Sequence, residues 1–400
     1  MSKNELKKIL EHAVKTTSYY EKYRTLASVD KTLEQFDVLT KEKLVANKNE
    51  IVSKDLAERY GLGEIEISRT SGSTGVFTDV LWAKSDILKS NKYLWKLRHK
   101  WYGITSLDKY VSFARSYKIG NTIKKPPKYQ IIGNNLQVSK FEICDQTLLE
   151  CFEKMDEFEP VWMIVQPSIL KIIMTALRTN SKKLCSSIKY IELNGEYVAK
   201  NDEKMFKDFF KVSISNMYGA YEVNCIGYEC PCGNMHVLEK NVYLSRSKNK
   251  VLVTSLTNYL MPIIKYDLCD DFEYAYKKCS CGMSGQCITI HRGRSTDYIS
   301  ISGAYISPYF IVFSIEEVNM LLNNIILSYK IIQLKSVYDI NIYLTIDKAY
   351  ENWKNVIMKE VLESIHKNDI VSILNYNILF VDRIYDLHFN DKYKFFEREI

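Results

Sequence analysis

The sequence predicts an α/β protein of two domains. A large N-terminal domain of mixed sheets and helices covers residues 1–294, and a small α+β C-terminal domain covers residues 295–400. Three observations predict this. At 400 residues the chain is too long for one ordinary core. Short apolar runs end on turn residues, IKYIEL before Asn194–Gly195 and VSISNM before Tyr218–Gly219, as buried strands of an α/β sheet do. The texture then changes between Gly293 and Asp297, after which two strand-like runs, a helical stretch and a further strand-like run follow one another.

Taken in order, the first segment is helical, with Leu6, Ile9, Leu10, Ala13 and Val14 recurring at helical spacing between Lys and Glu. Further helices are expected around Leu148–Phe158 and after PSIL, where Ile169, Ile172, Ile173 and Ala176 share one face. VLVTSL, from Val251 to Leu256, alternates like a strand. In the C-terminal part, IIQLKSV and INIYLTI read as strands, Glu351–His366 as a helix and NILFV as a closing strand.

Composition narrows the class. Hydrophobic residues make up 46% of the chain and charged residues 26%, the balance of a globular protein rather than a disordered one. The net charge of +7 is small for this length and the charges are interspersed, so no nucleic-acid partner is expected. The opening, MSKNELKKILEHAVKTT, is charged and lacks an apolar core, and no run of about 18 apolar residues follows. A cytoplasmic protein without a membrane span is the expectation.

Two features carry chemistry. RTSGSTGVFTDV, from Arg69 to Val80, places Thr70, Ser71, Gly72, Ser73, Thr74 and Gly75 together. Glycine allows close backbone approach, successive N–H groups can face one anion, and hydroxyls add short donors. The stretch suits a polyphosphate, although it is no Walker loop and on pattern alone also reads as a solvated linker. The second feature is the crowding of seven of the ten cysteines between Cys225 and Cys287. CPCGNMH (Cys230–His236) and CSCG (Cys279–Gly282) are close cysteine pairs followed by glycine, which favours tight turns that converge thiolates on one ion. The expectation is a structural zinc knuckle within about 225–291, held by four of five candidates, Cys230, Cys232, His236, Cys279 and Cys281, with Cys230 or Cys232 the one left out and Cys287 and His291 ranked below them. Free thiols are the alternative. The C-x-C spacing argues against a redox pair.

The glycine-rich loop, NGE (Asn194–Glu196), MYGAYE (Met217–Glu222), PIIKYDLCD (Pro262–Asp270) and GRSTDYISISGAYISP (Gly293–Pro308) follow in the order found in the adenylate-forming superfamily, which the chain resembles over nearly its whole length. TSLTNYLMPIIKYD, HAVKTTSYYEKY and DVLTKEKL resemble in particular the branch of phenylacetate–CoA ligase and the capsule-biosynthesis adenylate-forming proteins, which often carry a Cys…His…Cys-x-Cys pattern. The resemblance implies an ATP- and Mg²⁺-dependent ligase. It would activate a carboxylic acid as acyl-AMP, release pyrophosphate and pass the acyl group to an amine, hydroxyl, or CoA or carrier thiol, in surface polysaccharide or secondary-metabolite biosynthesis. An aryl- or acyl-CoA ligase is the nearest alternative, and a non-catalytic nucleotide-binding scaffold a further one.

By the same resemblance, the loop holds the β- and γ-phosphates and Glu222 is the Mg²⁺ carboxylate. Tyr218 stacks near the adenine, with Gly219 letting the backbone pass close. Asn194, Gly195 and Glu196 line the adenine and acyl pocket, Asp270 takes the ribose hydroxyls, and Arg294 contacts ribose or phosphate. The C-terminal domain acts as a mobile lid that brings Lys392 to the α-phosphate, with Lys394 as runner-up. Zinc would pin the segment after Glu222 to the segment after Asp270. The chain departs from the pattern in four places. Val76, Phe77 and Thr78 follow Gly75 where relatives have a lysine, and Tyr221 replaces the threonine that touches the α-phosphate before the glutamate, its hydroxyl either reaching a phosphate in the same way or filling part of the acyl pocket. Cys269 stands where glycine precedes the aspartate, and Thr296 stands at the hinge carboxylate. Trp162, Tyr197 and Tyr221 add bulk near the expected acyl pocket.

Overall fold

The computed structural model describes residues 2–24, 33–61, 63–70, 78–114, 117–119, 122–124, 127–139, 145–248, 250–294, 299–302, 304–306, 308–323, 325–368, 373–382, 384 and 396–399. The fold is α/β with mixed sheets. Two compact units divide the chain, the first made of Met1–Asp108, Glu192–Gly195 and Ser215–Gly293, the second of Lys109–Ile191, Glu196–Ile214 and Arg294–Ile400.

In the first unit, the helix Ser2–Thr16 buries Ile9, Leu10, Ala13 and Val14, the residues whose spacing predicts it. They join a core that includes Trp82, Val253, Ile263 and Phe272. The strands Ile65–Thr70 and Thr78–Ala83 pair antiparallel, with Thr70 opposite Thr78. Ser71, Gly72, Ser73, Thr74 and Gly75 lie outside the described residues. The helix Lys84–Tyr102 follows and stops at Gly103, whose left-handed φ of 69° lets its N–H close back on His99.

The strands Ser213–Ala220, Asn224–Glu229, Met235–Val237 and Ser284–Arg294 then lie side by side as antiparallel neighbours, with Asp270–Lys278 next in order. The first of these runs on through Tyr218 and Gly219, residues that the sequence pattern places in a loop after the strand. The register shifts between those two residues. A Cβ on Gly219 would stand 2.6 Å from the Asn224 carbonyl oxygen, so only glycine lets the neighbouring strand close on this bulge. The backbone that passes close to Gly219 is the chain's own.

In the second unit, Tyr110–Ala114 lies parallel to both Asn135–Ser139 and Trp162–Val165, and Tyr129–Ile132 runs antiparallel at the edge. Asp145–Phe158, Pro167–Thr179 and Lys200–Phe210 are helices that go with these strands, the second opening on a proline, which needs no N–H there. The C-terminal part has a sheet of its own, in the order Asn375–Phe380, Asp339–Ile346, Ile326–Gln333, Phe396–Arg398. Its separate core includes Ile331, Ile342, Ile357 and Val361. The helix expected over Glu351–His366 is a 3₁₀ turn, Lys348–Trp353, capped by Asp347, followed by an α-helix, Lys354–Asn368. The helix Tyr309–Leu321 escapes the sequence reading because its first turns, YFIVF, are apolar on every side and show no helical period.

Candidate active site and metal cluster

The first unit gathers most of the expected site. Tyr221, Glu222 and Val223 form the three-residue turn between Ser213–Ala220 and Asn224–Glu229, closed by the Val223 N–H on the Ala220 carbonyl at 3.1 Å. Asn224 takes the positive φ, 62°, that such a turn needs. Tyr221 is exposed, and its carbonyl accepts the indole N–H of Trp82 at 3.0 Å. Glu222 is only 7% exposed although it lies on a turn. Its Oε1 accepts the hydroxyl of Tyr266, inside PIIKYDLCD, at 2.8 Å. Reciprocally, the Tyr218 hydroxyl of MYGAYE donates to Oδ2 of Asp270 at 2.8 Å. The two motifs thus exchange tyrosine-to-carboxylate bonds across 44 and 52 residues of chain. Tyr218 also meets Phe272 edge to face at 5.5 Å.

Cys269, in the place of the expected glycine, takes the left-handed φ of 56° that a glycine adopts without strain. Asn194 closes the strand Tyr190–Asn194 and Gly195 turns the chain with φ of 76°. Both belong to the first unit, whereas Glu196 belongs to the second. Thr70 ends its strand and Arg294 ends Ser284–Arg294. Lys392, Lys394, Thr296 and Asp297 lie outside the described residues.

Behind Asn194, strand residue Glu192 is fully buried. Arg98 of the helix Lys84–Tyr102 grips it with two bonds, Nε to Oε2 at 2.8 Å and Nη2 to Oε1 at 2.5 Å. The Tyr228 hydroxyl donates to Oε2 at 3.0 Å. Sequence reasoning misses this pair, since nothing in IKYIEL marks its glutamate as one with a guanidinium partner 94 residues earlier.

The cysteine cluster is built from two turns of one design. The Cys230 N–H bonds the Asn234 carbonyl and the Gly233 N–H bonds the Cys230 carbonyl. The Cys279 N–H bonds the Met283 carbonyl and the Gly282 N–H bonds the Cys279 carbonyl. Gly233 and Gly282 take φ of 75° and 85°, as a cysteine pair followed by glycine leads one to expect. The turns bring one ligand atom each from Cys230, His236, Cys279 and Cys281 within 4.8 Å of one another. Cys230 and Cys279 sulfurs stand 3.7 Å apart, and Cys281 Sγ stands 3.3 Å from His236 Nε2. Sulfurs about 2.3 Å from a tetrahedral zinc would be about 3.8 Å apart, so the S₃N set fits that ion. Cys232 is exposed, its sulfur taking the Ser280 hydroxyl at 3.1 Å. Burial raises the Cys230 and Cys281 thiols, whereas the backbone N–H of Cys281 foremost lowers Cys279.

Three surrounding groups, none legible as such in the sequence, support the cluster. The Asn234 amide donates to Cys279 Sγ at 3.3 Å, Cys287 Sγ faces His236 Nδ1 at 3.4 Å, and Trp101 lies against the His236 ring.

No family model and no curated protein matches the chain. Among solved structures it is similar to a 2-hydroxyisobutyryl-CoA ligase in the postadenylation state in complex with R3-HIB-AMP. That likeness has 11% identity and a TM-score of 0.73, over 99% of this chain and 88% of the other. It is similar to the GH3.15 acyl acid amido synthetase at 12% identity and a TM-score of 0.61, over 93% and 84%. The anthranilate CoA ligase AuaEII in complex with anthranoyl-AMP gives 14% identity and 0.54, over 79% and 63%. At such identities the likeness is one of fold, and the chain has the fold of the adenylate-forming ligases.

Proposed function

We propose that the protein is an ATP- and Mg²⁺-dependent ligase that activates a carboxylic acid as acyl-AMP and transfers the acyl group to an amine, hydroxyl or thiol. The observation that carries this reading is the reciprocal exchange between MYGAYE and PIIKYDLCD. It joins two motifs that lie in one unit with the strands flanking the glycine-rich stretch, which supports giving Glu222 and Asp270 the magnesium and ribose roles.

The chemistry is an in-line displacement. A carboxylate oxygen of the acid bonds to the α-phosphorus of ATP while the bond from that phosphorus to the β-bridging oxygen breaks, and pyrophosphate leaves with the electron pair. Such a reaction asks for positioning and charge neutralisation more than for an acid or base. The amides and hydroxyls of Thr70–Gly75 would hold the β- and γ-phosphates without the lysine of relatives. Asp270, whose Oδ2 accepts the Tyr218 hydroxyl, would receive the ribose diol. Asn194, Gly195 and Glu196 would border the adenine and acyl pocket, and Arg294 would meet ribose or phosphate. Glu222 would hold Mg²⁺, which when bound neutralises phosphate charge. Residues 295–400 would form the lid that carries Lys392 to the α-phosphate. Cys230, His236, Cys279 and Cys281 would hold zinc as a closed, structural site with no open position for substrate.

A second acceptor reading, transfer to the thiol of CoA, is favoured by the likeness over 99% of the chain to a 2-hydroxyisobutyryl-CoA ligase. A role in surface polysaccharide or secondary-metabolite biosynthesis rests on the sequence resemblance. The test is a carboxylate and acceptor panel with ATP, in which pyrophosphate is measured and acyl-AMP and product are sought by mass spectrometry. Acid-dependent pyrophosphate release that collapses in Glu222→Gln and Lys392→Ala supports the reading. If no acid elicits it, and both variants bind nucleotide as the parent does, the protein is a scaffold.

A further inference from the structure

We infer that Tyr266 is a positioning residue that aims the Glu222 carboxylate at the divalent cation of the bound nucleotide, an inference that rests on the ligase reading above. Glu222 sits on a three-residue turn, outside the strand pairing on either side of it. Tyr266 sits on the opposite kind of support. It is 2% exposed, and its ring is part of the core of the first unit. Its backbone exchanges both hydrogen bonds with Val253, at 2.8 and 2.9 Å. On the other side, Leu39 bonds the carbonyl of Lys265 and the N–H of Asp267, at 3.1 and 3.0 Å. The chain around Tyr266 is therefore fixed from two directions, and its hydroxyl is a fixed point.

That hydroxyl donates to Glu222 Oε1, while Oε2 has no hydrogen-bond partner among the described residues. A phenol is a neutral donor. It consumes one acceptor direction of the carboxylate without cancelling its charge, and it leaves the second oxygen aimed. A single, oriented carboxylate oxygen is what Mg²⁺ takes when it keeps most of its waters and its phosphate ligands. An outer partner that orients a metal ligand commonly accounts for a tenfold or greater difference in affinity. The Trp82 bond to the Tyr221 carbonyl holds the backbone of the same turn, so Tyr266 acts on the side chain and Trp82 on its base.

The test uses the full chain and Mn²⁺ as the probe, with free Mn²⁺ followed by electron paramagnetic resonance in the presence of ATP. Wild type, Tyr266→Phe, Glu222→Gln and the double variant are compared. Tyr266→Phe should weaken ATP-dependent Mn²⁺ binding about tenfold, equivalent to about 1.4 kcal/mol. In the Glu222→Gln background it should add nothing, because Tyr266 acts only through that carboxylate. Glu222→Asp, which shortens the reach to Tyr266 without touching the core, should reproduce the loss and keeps the test open if Tyr266→Phe folds poorly. If Glu222→Gln weakens binding while Tyr266→Phe and Glu222→Asp leave it unchanged, this inference is overturned and the ligase reading stands. If Glu222→Gln itself changes nothing, the ligase reading of Glu222 falls and this inference with it.

Discussion

Replacing Arg98 by Met should be among the most damaging single changes in the chain, and the structure says by how much. The Arg98 and Glu192 side chains are 7% and 0% exposed, and two short bonds join them. Met keeps much of the length of the arginine stem over the Trp95 ring, where the guanidinium carbon now lies 4.4 Å from the ring centre. It removes both charge-assisted bonds and leaves a buried carboxylate with the neutral Tyr228 hydroxyl at 3.0 Å. Breaking a buried pair from one side costs about 3–5 kcal/mol, because the surviving charge has lost its water and its partner. For a unit of this size that is a fall in Tm on the order of 10 °C. The double variant Arg98→Met with Glu192→Leu should recover at least about 2 kcal/mol of the loss, since no orphaned charge remains. Urea unfolding followed by near-UV circular dichroism reads both numbers. A single variant that costs under about 1 kcal/mol, or a double whose cost is the sum of the singles, would refute the reasoning. Because Glu192 lies two residues before Asn194, nucleotide binding should weaken in the single variant and recover in the double.

Gly219→Ala places a methyl group 2.6 Å from the Asn224 carbonyl oxygen and 3.1 Å from the Cys225 Cα, neither of which can swing away. A loss of about 1–3 kcal/mol and a displaced Glu222 turn should show as a lower Tm and weaker ATP-dependent pyrophosphate release. Metal analysis should find about one zinc per chain, lost in Cys279→Ser and kept in Cys232→Ser, since only the former lies among the four converging ligands. Zinc retained in Cys279→Ser would break the assignment. Replacing Ser71 and Ser73 together by Ala should raise the KM for ATP while leaving the melting curve in place. An unchanged KM would return the stretch to a solvated linker.

The sequence was most informative where a local rule decides the outcome. Helical spacing of Ile9, Ala13 and Val14 places them on a buried face, and a cysteine pair followed by glycine folds into the same turn twice, around Gly233 and Gly282. The elements it hid have non-local causes. MYGAYE reads as a strand end, yet pairing with Asn224–Glu229 carries the strand through Gly219. Tyr266 stood inside a recognised motif, but its partner Glu222 is brought to it only by tertiary packing. Of the five Cys and His candidates, spacing marks Cys230 or Cys232 as the one to leave out but does not decide between them, because both flank the same turn. That Cys230 faces inward while Cys232 takes the Ser280 hydroxyl depends on how the two turns meet.

That meeting would give a zinc held by the cluster a part in the candidate site it does not touch. The strand Asn224–Glu229 runs from the Glu222 turn to Cys230, and Asp270–Lys278 runs from Asp270 to Cys279. Each has a carboxylate of the candidate site at one end and a metal-cluster cysteine at the other. Six residues of strand span roughly 20 Å at 3.3 Å per residue, too far for the ion to take part in chemistry at the carboxylates. Bound there, it would be placed to fix register. A slip of one residue turns a strand's side chains to the wrong face: in Asp270–Lys278 it would part Asp270 from Tyr218, and in Asn224–Glu229 it would draw the adjoining Glu222 turn away from Tyr266. Zinc removal should therefore leave the helical signal largely intact while ATP-dependent Mn²⁺ binding falls, and the two should return together on adding zinc back. Were chelation to unfold the first unit outright, the ion would be a condition of folding. Were nucleotide binding to survive complete removal, the tyrosine–carboxylate exchange would be holding the register alone.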